Sequence, residues 1–173
     1  MKMTIVSKAL LILALATTAS ARDRLVLTDR GLGPVRLGMS LEAAGKALGR
    51  RLKVDGGADC AVARRADGRD GDVTYMAEKD VITRIDVGRA KAGARASAVT
   101  AAGVGLGASE AQVRRAYGPR LKIEPHPYDE KGHYLRVEDP GKQRGIIFET
   151  SRGRVTSFRA GLYPALDYKE GCL

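Results

Sequence analysis

The sequence predicts an α+β fold of two tandem α-β-β-β repeats, each a short helix packed on an antiparallel meander, sharing one core. Two observations carry this expectation. The stretch "VRLGMSLEAAGKALGRRL" at 35–52 is restated by "GLGASEAQVRRAYGPRL" at 105–121, with Gly38, Ser40, Ala47, Gly49 and Leu52 in register on Gly107, Ser109, Ala116, Gly118 and Leu121. Further on, "DVTYMAEKDVITRIDVG" at 72–88 aligns with "GIIFETSRGRVTSFRAG" at 145–161. Self-similarity at a near-constant spacing is the mark of a repeated structural unit.

In chain order, residues 1–21 have the three parts of a secretory signal peptide. Lys2 and Lys8 form a basic start, Ala9 to Ala16 an apolar run, and Ala19-Ser20-Ala21 an A-x-A cleavage site. That run is too short to span a bilayer, which takes about 20 apolar residues. Cleavage after Ala21 is expected to leave a soluble periplasmic or secreted chain. The residue directly after the cleavage site is Arg22 rather than a cysteine, so no lipid anchor is indicated. Residues 22–97 then hold the first repeat with its linker, and residues 98–173 the second repeat with a C-terminal tail.

In the first repeat Ser40 can cap a helix, and Glu42 favours its positive end. Ala44, Ala47 and Leu48 supply a thin apolar stripe, and Gly49 a stop. Strand "CAVARR" follows. Next comes a hairpin in which Val73, Tyr75 and Ala77, then Thr83, Ile85 and Val87, alternate with polar neighbours around Glu78-Lys79-Asp80. The segment "RAKAGARASA" at 89–98 reads as a linker. In the second repeat Ser109 and Gln112 match a capping box, Val113, Ala116 and Tyr117 share one face, and Gly118-Pro119 ends the helix. Strand "HYLRVE" precedes a hairpin carrying Ile146, Phe148 and Thr150, a turn at 151–153, and Thr156, Phe158 and Ala160. One helix on three strands is barely self-sufficient, and pairing two such units supplies the missing core.

The phrases "GVGLGASEAQVRRAYG" and "VRLGMSLEAAGKALG" resemble the helix start of the SmpA/OmlA family of small envelope proteins. The tandem order is similar to the β-lactamase-inhibitor-protein fold. That resemblance implies a concave sheet backed by helices, and a role in binding another protein in the envelope.

The residues themselves narrow the function. A formal charge of +10 is mostly arginine spread among acidic residues rather than a clustered stripe, which argues against nucleic acid. A protein or an anionic envelope polymer is the expected partner, and the oligomeric state is left open. Two cysteines, Cys60 and Cys172, are expected to form one disulfide in an oxidising compartment and to pin the C-terminus.

No cofactor is expected. Gly38 and Gly45 stand too far apart for a phosphate-binding loop, Ala47 replaces its magnesium-binding hydroxyl, and no H-E-x-x-H, C-x-x-C or G-x-S-x-G occurs. The densest polar stretch is "EPHPYDEKGHYLRVE". Its two prolines and glycine predict a loop between helix and strand, with His126, Tyr128, Asp129, His133 and Tyr134 as candidate binding residues. A non-enzymatic binding or scaffold protein is the first expectation; the second, implied by the resemblance to the β-lactamase-inhibitor-protein fold, is an inhibitor of an extracytoplasmic hydrolase. The third is a metal-assisted hydrolase in which His126, Asp129 and His133 hold zinc.

Overall fold

A computed structural model describes residues 24–69, 71–88 and 98–172. The signal-peptide segment and most of the 89–98 linker lie outside the described residues. The chain is mixed α+β and mostly strand. It begins with β1 (Leu25–Thr28), β2 (Gly31–Leu32), β3 (Val35–Arg36) and α1 (Leu41–Ala47). Next come β4 (Leu52–Gly56), β5 (Cys60–Arg65), β6 (Val73–Glu78), β7 (Val81–Val87) and β8 (Ala98–Thr100). The remainder is α2 (Glu110–Tyr117), β9 (Leu121–His126), β10 (Asp129–Glu138), β11 (Arg144–Ser151) and β12 (Arg154–Leu162). Among the described residues, no helix is long and apolar enough to cross a membrane.

Strands β4 to β7 and β9 to β12 form one antiparallel eight-stranded sheet in the order β4-β5-β6-β7-β12-β11-β10-β9. The two runs of four meet where β7 pairs β12, with Val87 opposite Phe158 and Ile85 opposite Ala160. Each run therefore has a strand more than the three-stranded meander expected from the sequence. The additional strands, β4 and β9, leave the helices at Leu52 and Leu121. Leu52-Lys53-Val54-Asp55 and Leu121-Lys122-Ile123-Glu124 do alternate apolar with polar residues, but each stretch is only four residues long and follows directly on a helix stop. A small second sheet, β3-β2-β1-β8, with β1 and β8 parallel, was also missed by the sequence reading. Two of its strands are only two residues long, too short for a periodicity to show.

Corresponding bonds tie each helix start to the last hairpin of its own half. Gly38 N donates to Ile82 O (2.8 Å) and Gly107 N to Val155 O (2.8 Å). Ile82 N returns a bond to Met39 O (2.8 Å) and Val155 N to Ala108 O (2.9 Å). The hairpin turns match as well: Lys79 and Asp80 have φ of 50° and 65°, Arg152 and Gly153 49° and 74°. Two successive left-handed residues are what a tight hairpin needs, because such a turn follows the right-handed twist of the strands.

Ser109 accepts from Gln112 N (3.2 Å) and Gln112 Oε1 accepts from Ser109 N (2.8 Å), completing the expected box, whereas Ser40 makes only the bond from Ala43 N (3.1 Å). Of the stripe read for α1, Ala44 is buried and Leu48 half-buried, but Ala47 is exposed, since the helix is too short for a second inward turn. One face of the large sheet is covered by both helices and the small sheet. A single core joins Ala44, Tyr75, Ile85 and Val87 to Val113, Tyr117, Phe148 and Phe158. Tyr117 and Phe148 rings lie 5.5 Å apart, and Phe148 stacks on Phe158 at 5.8 Å.

Candidate functional site

The segment read as a loop is a β-hairpin. Leu121–His126 and Asp129–Glu138 pair across the two-residue tip Pro127-Tyr128. Pro125 is tolerated because β9 is an edge strand, where a missing N–H need not break a ladder. A bulge between Asp129 and His133 admits the close approach of Gly132, where a Cβ would stand 2.3 Å from Thr150 O. Prolines and glycine therefore sit at the edge, tip and bulge of a hairpin, which explains why they imitate a loop in the sequence.

Strand alternation separates the candidate residues. Tyr134 pairs with Glu124 and Glu149 and so shares their face, the one turned away from the helices. There the His126 ring meets Tyr134 edge-on, 4.8 Å between centroids at 84°. His126 Nδ1 accepts from Tyr128 N (3.1 Å), and its Nε2 lies 3.9 Å from Glu149 Oε2. Arg159 sits over the Tyr134 ring at 5.3 Å and forms an ion pair with Glu149, which also accepts from Ser157 Oγ (2.9 Å). Burial works against a charged Glu149, but the Arg159 guanidinium, the Ser157 hydroxyl and His126 outweigh it and hold the carboxyl below its ordinary range. Burial, together with the Glu149 charge, pushes the Tyr134 hydroxyl up.

His133 stands on the opposite face. Its Nδ1 is 2.8 Å from Glu110 Oε1, and Thr150 Oγ1 donates to the same oxygen (2.7 Å) while accepting from His133 N (2.9 Å). Glu110 is the first residue of α2, where a carboxylate also meets the positive helix end. Burial opposes its ionisation, but the bonds from Thr150 and His133 hold its carboxyl below the usual range. The expected zinc triad is thus not assembled: His126 and His133 are on different faces, and Asp129 is engaged locally. A bond from Ser151 holds the Asp129 carboxyl low, and Lys131 N donates to it at 2.9 Å. Among the described residues, no three His, Cys, Asp or Glu side chains gather in a way that could hold a metal ion.

Tyr128 alone of the five candidates projects fully, 68% exposed at the tip. Its hydroxyl donates to Glu170 Oε1 (3.3 Å). Beside it lies an open cleft of 720 Å³, lined by Asp129, Glu130 and Ser151 and by the cations Lys131, Arg152 and Arg154. None of these three cations is in an ion pair among the described residues. The cleft can therefore offer an aromatic surface with a hydroxyl tip and three cationic donors to an anionic or hydrogen-bonding ligand.

The sheet face carrying His126 and Tyr134 is overlaid by the C-terminal tail. Arg84 Nη1 donates to Tyr168 O (2.6 Å) and Ala165 O (3.2 Å), Arg159 Nε to Leu166 O (3.0 Å), and Arg136 Nη1 to Asp167 Oδ1 (2.6 Å). Leu166 is fully buried against Tyr134 and Ile147. The tail ends in the expected disulfide, Cys60 to Cys172, with Cα atoms 5.5 Å apart. Sequence reasoning missed this arginine set, although a signal was present. In "ITRID", "YLRVE" and "SFRAG" each arginine adjoins core residues along a strand, and so must face away from the core.

No family model, no curated protein and no solved structure matches this chain.

Proposed function

We propose that the protein is an exported, non-enzymatic binding protein of the bacterial envelope, built by duplication of one helix-and-meander unit. In this reading it recognises an acidic protein or an anionic envelope polymer through the tip of the β9–β10 hairpin. One observation carries the reading: Tyr128 projects from a hairpin tip beside a cleft lined by Lys131, Arg152 and Arg154, none of which is in an ion pair among the described residues. A tip held by strand pairing on both sides, presenting an aromatic ring beside three cations, loses less conformational freedom on binding than an open loop would. The matching turns and helix-start bonds of the two halves favour duplication, and the Cys60–Cys172 disulfide favours an oxidising compartment.

In this arrangement His126, His133, Tyr134 and Asp129 position the tip, and Tyr128, Lys131, Arg152 and Arg154 meet the partner. Capture from an envelope extract by the disulfide-bonded protein tests this. Tyr128→Ala and Arg152→Ala with Arg154→Ala should each reduce capture of the same partner at least about tenfold, with unfolding unchanged. Recovery of a single hydrolase with suppressed activity would assign the inhibitor role instead. Undiminished capture by both variants would remove the tip from the function.

A further inference from the structure

The two edges of the large sheet differ. At one end β9 carries Pro125, which has no N–H to offer an added strand. At the other end β4 carries no proline, and all its residues but Leu52 are exposed. Flanking hydrogen bonds set the phase of its main chain. Ala66 N donates to Arg51 O and Gly57 N to Cys60 O, so Arg51, Lys53, Asp55 and Gly57 turn their main-chain groups toward β5. By the alternation of an antiparallel ladder, Leu52, Val54 and Gly56 turn theirs outward.

The side chains alternate too. Val54 is 49% exposed and lines, with Leu41 and Leu52, a groove of 550 Å³ between α1 and the edge. Gly45 of α1 helps keep that groove open. Lys53 and Asp55 project from the other face of the strand, and neither is in an ion pair among the described residues.

We propose that β4 pairs with β4 of a second copy of this chain, antiparallel and centred on Val54. The outward groups at Leu52, Val54 and Gly56 are symmetric about that centre, so a two-fold axis there satisfies both edges at once. The same axis sets Val54 against Val54 of the second copy, burying an exposed apolar side chain, and Leu52 against Gly56. Lys53 then faces Asp55 of the second copy and Asp55 faces Lys53, giving two cross-strand ion pairs from one strand's own sequence. The sheet runs on through both copies as an isologous interface, leaving only the proline-bearing β9 edges outermost. Both hairpin tips lie at those outer ends, so one dimer presents two copies of the cleft beside Tyr128.

Sedimentation velocity over a concentration series, on the disulfide-bonded protein, tests the pairing. The wild-type chain should sediment as a reversible dimer. Lys53→Asp opposes Asp55 of the second copy, Asp55→Lys opposes Lys53, and each should raise the dimer dissociation constant at least about tenfold. The combined exchange of both residues should restore the wild-type constant to within about threefold, because the opposed charges are again unlike. Arg115→Glu changes net charge by the same amount as Lys53→Asp on the exposed face of α2 and should leave the dimer unchanged. Val54→Pro removes an outward N–H without touching the bond to β5 and should give a monomer with an unchanged circular dichroism spectrum. A wild-type chain that stays monomeric, single reversals that dimerise normally, or a double exchange no better than the singles would each overturn the proposal. These outcomes are independent of partner capture at the hairpin tip.

Discussion

Replacing both cysteines by serine tests how far the tail is held by covalent tether and how far by the sheet beneath it. The bridge joins residues 112 apart in sequence. In the chain-entropy treatment, a loop of that length restrains the unfolded chain by about 5 kcal/mol. The native side changes little, because Leu166 is fully buried and such a burial is worth about 1.5–3 kcal/mol. The bonds from Arg84, Arg136 and Arg159 to the tail also remain. Loss of stability should therefore arise mainly from the freed unfolded state. Expected is a decrease of about 3–5 kcal/mol, or roughly 10–20 °C in Tm for a chain of this size.

The chain contains no tryptophan, so urea unfolding followed by far-ultraviolet circular dichroism is the assay. The serine variant should also show a steeper dependence on urea, since an unlinked chain exposes more surface when unfolded. Adding Leu166→Ala to it should release the tail and lower stability further. An unfolding free energy within about 1 kcal/mol of the disulfide-bonded protein would refute the reasoning, because the unfolded chain would then be constrained by something other than the bridge.

Two further outcomes follow from the core and from the Glu110 cluster. Val113 and Ala44 are fully buried at matching positions of α2 and α1, so Val113→Asp and Ala44→Asp should each destabilise by about 3 kcal/mol or more in urea unfolding; a harmless Val113→Asp would displace the helix from the core. Glu110 has its pKa below the ordinary 4.5, so the unfolded chain binds more protons at acid pH. Its contribution is complete above that value and is lost as pH falls through the lower folded pKa. Glu110→Gln should therefore be less stable than wild type near neutrality, with the difference shrinking in acid; a difference independent of pH down to about pH 3 would contradict the assignment.

How much of this was legible beforehand depended on whether the signal was local. Capping residues, hairpin alternation and left-handed turns act over a few neighbouring residues. Hence Ser109 with Gln112, Val73 to Ala77 and Phe148 with Phe158 were all readable from spacing. The Cys60–Cys172 pair was readable for another reason, since two cysteines allow only one intramolecular bridge. Edge strands β4 and β9 escaped although LKVD and LKIE alternate, because each such stretch is only four residues long and runs on directly from a helix stop. The histidine stretch misled because proline and glycine mark loops and hairpin edges alike, and only pairing with a neighbouring strand tells them apart.

Tertiary structure alone decided which residues meet. Strand alternation put His126 with Tyr134 and Glu149, and His133 with Glu110 on the other side of the sheet, so close neighbours in sequence became separate in space. It also brought Arg84, Arg136 and Arg159, from three strands, under one tail. Local sequence sets the phase of each strand, but register between strands comes from the packing of the whole core, and the register chooses the company each side chain keeps.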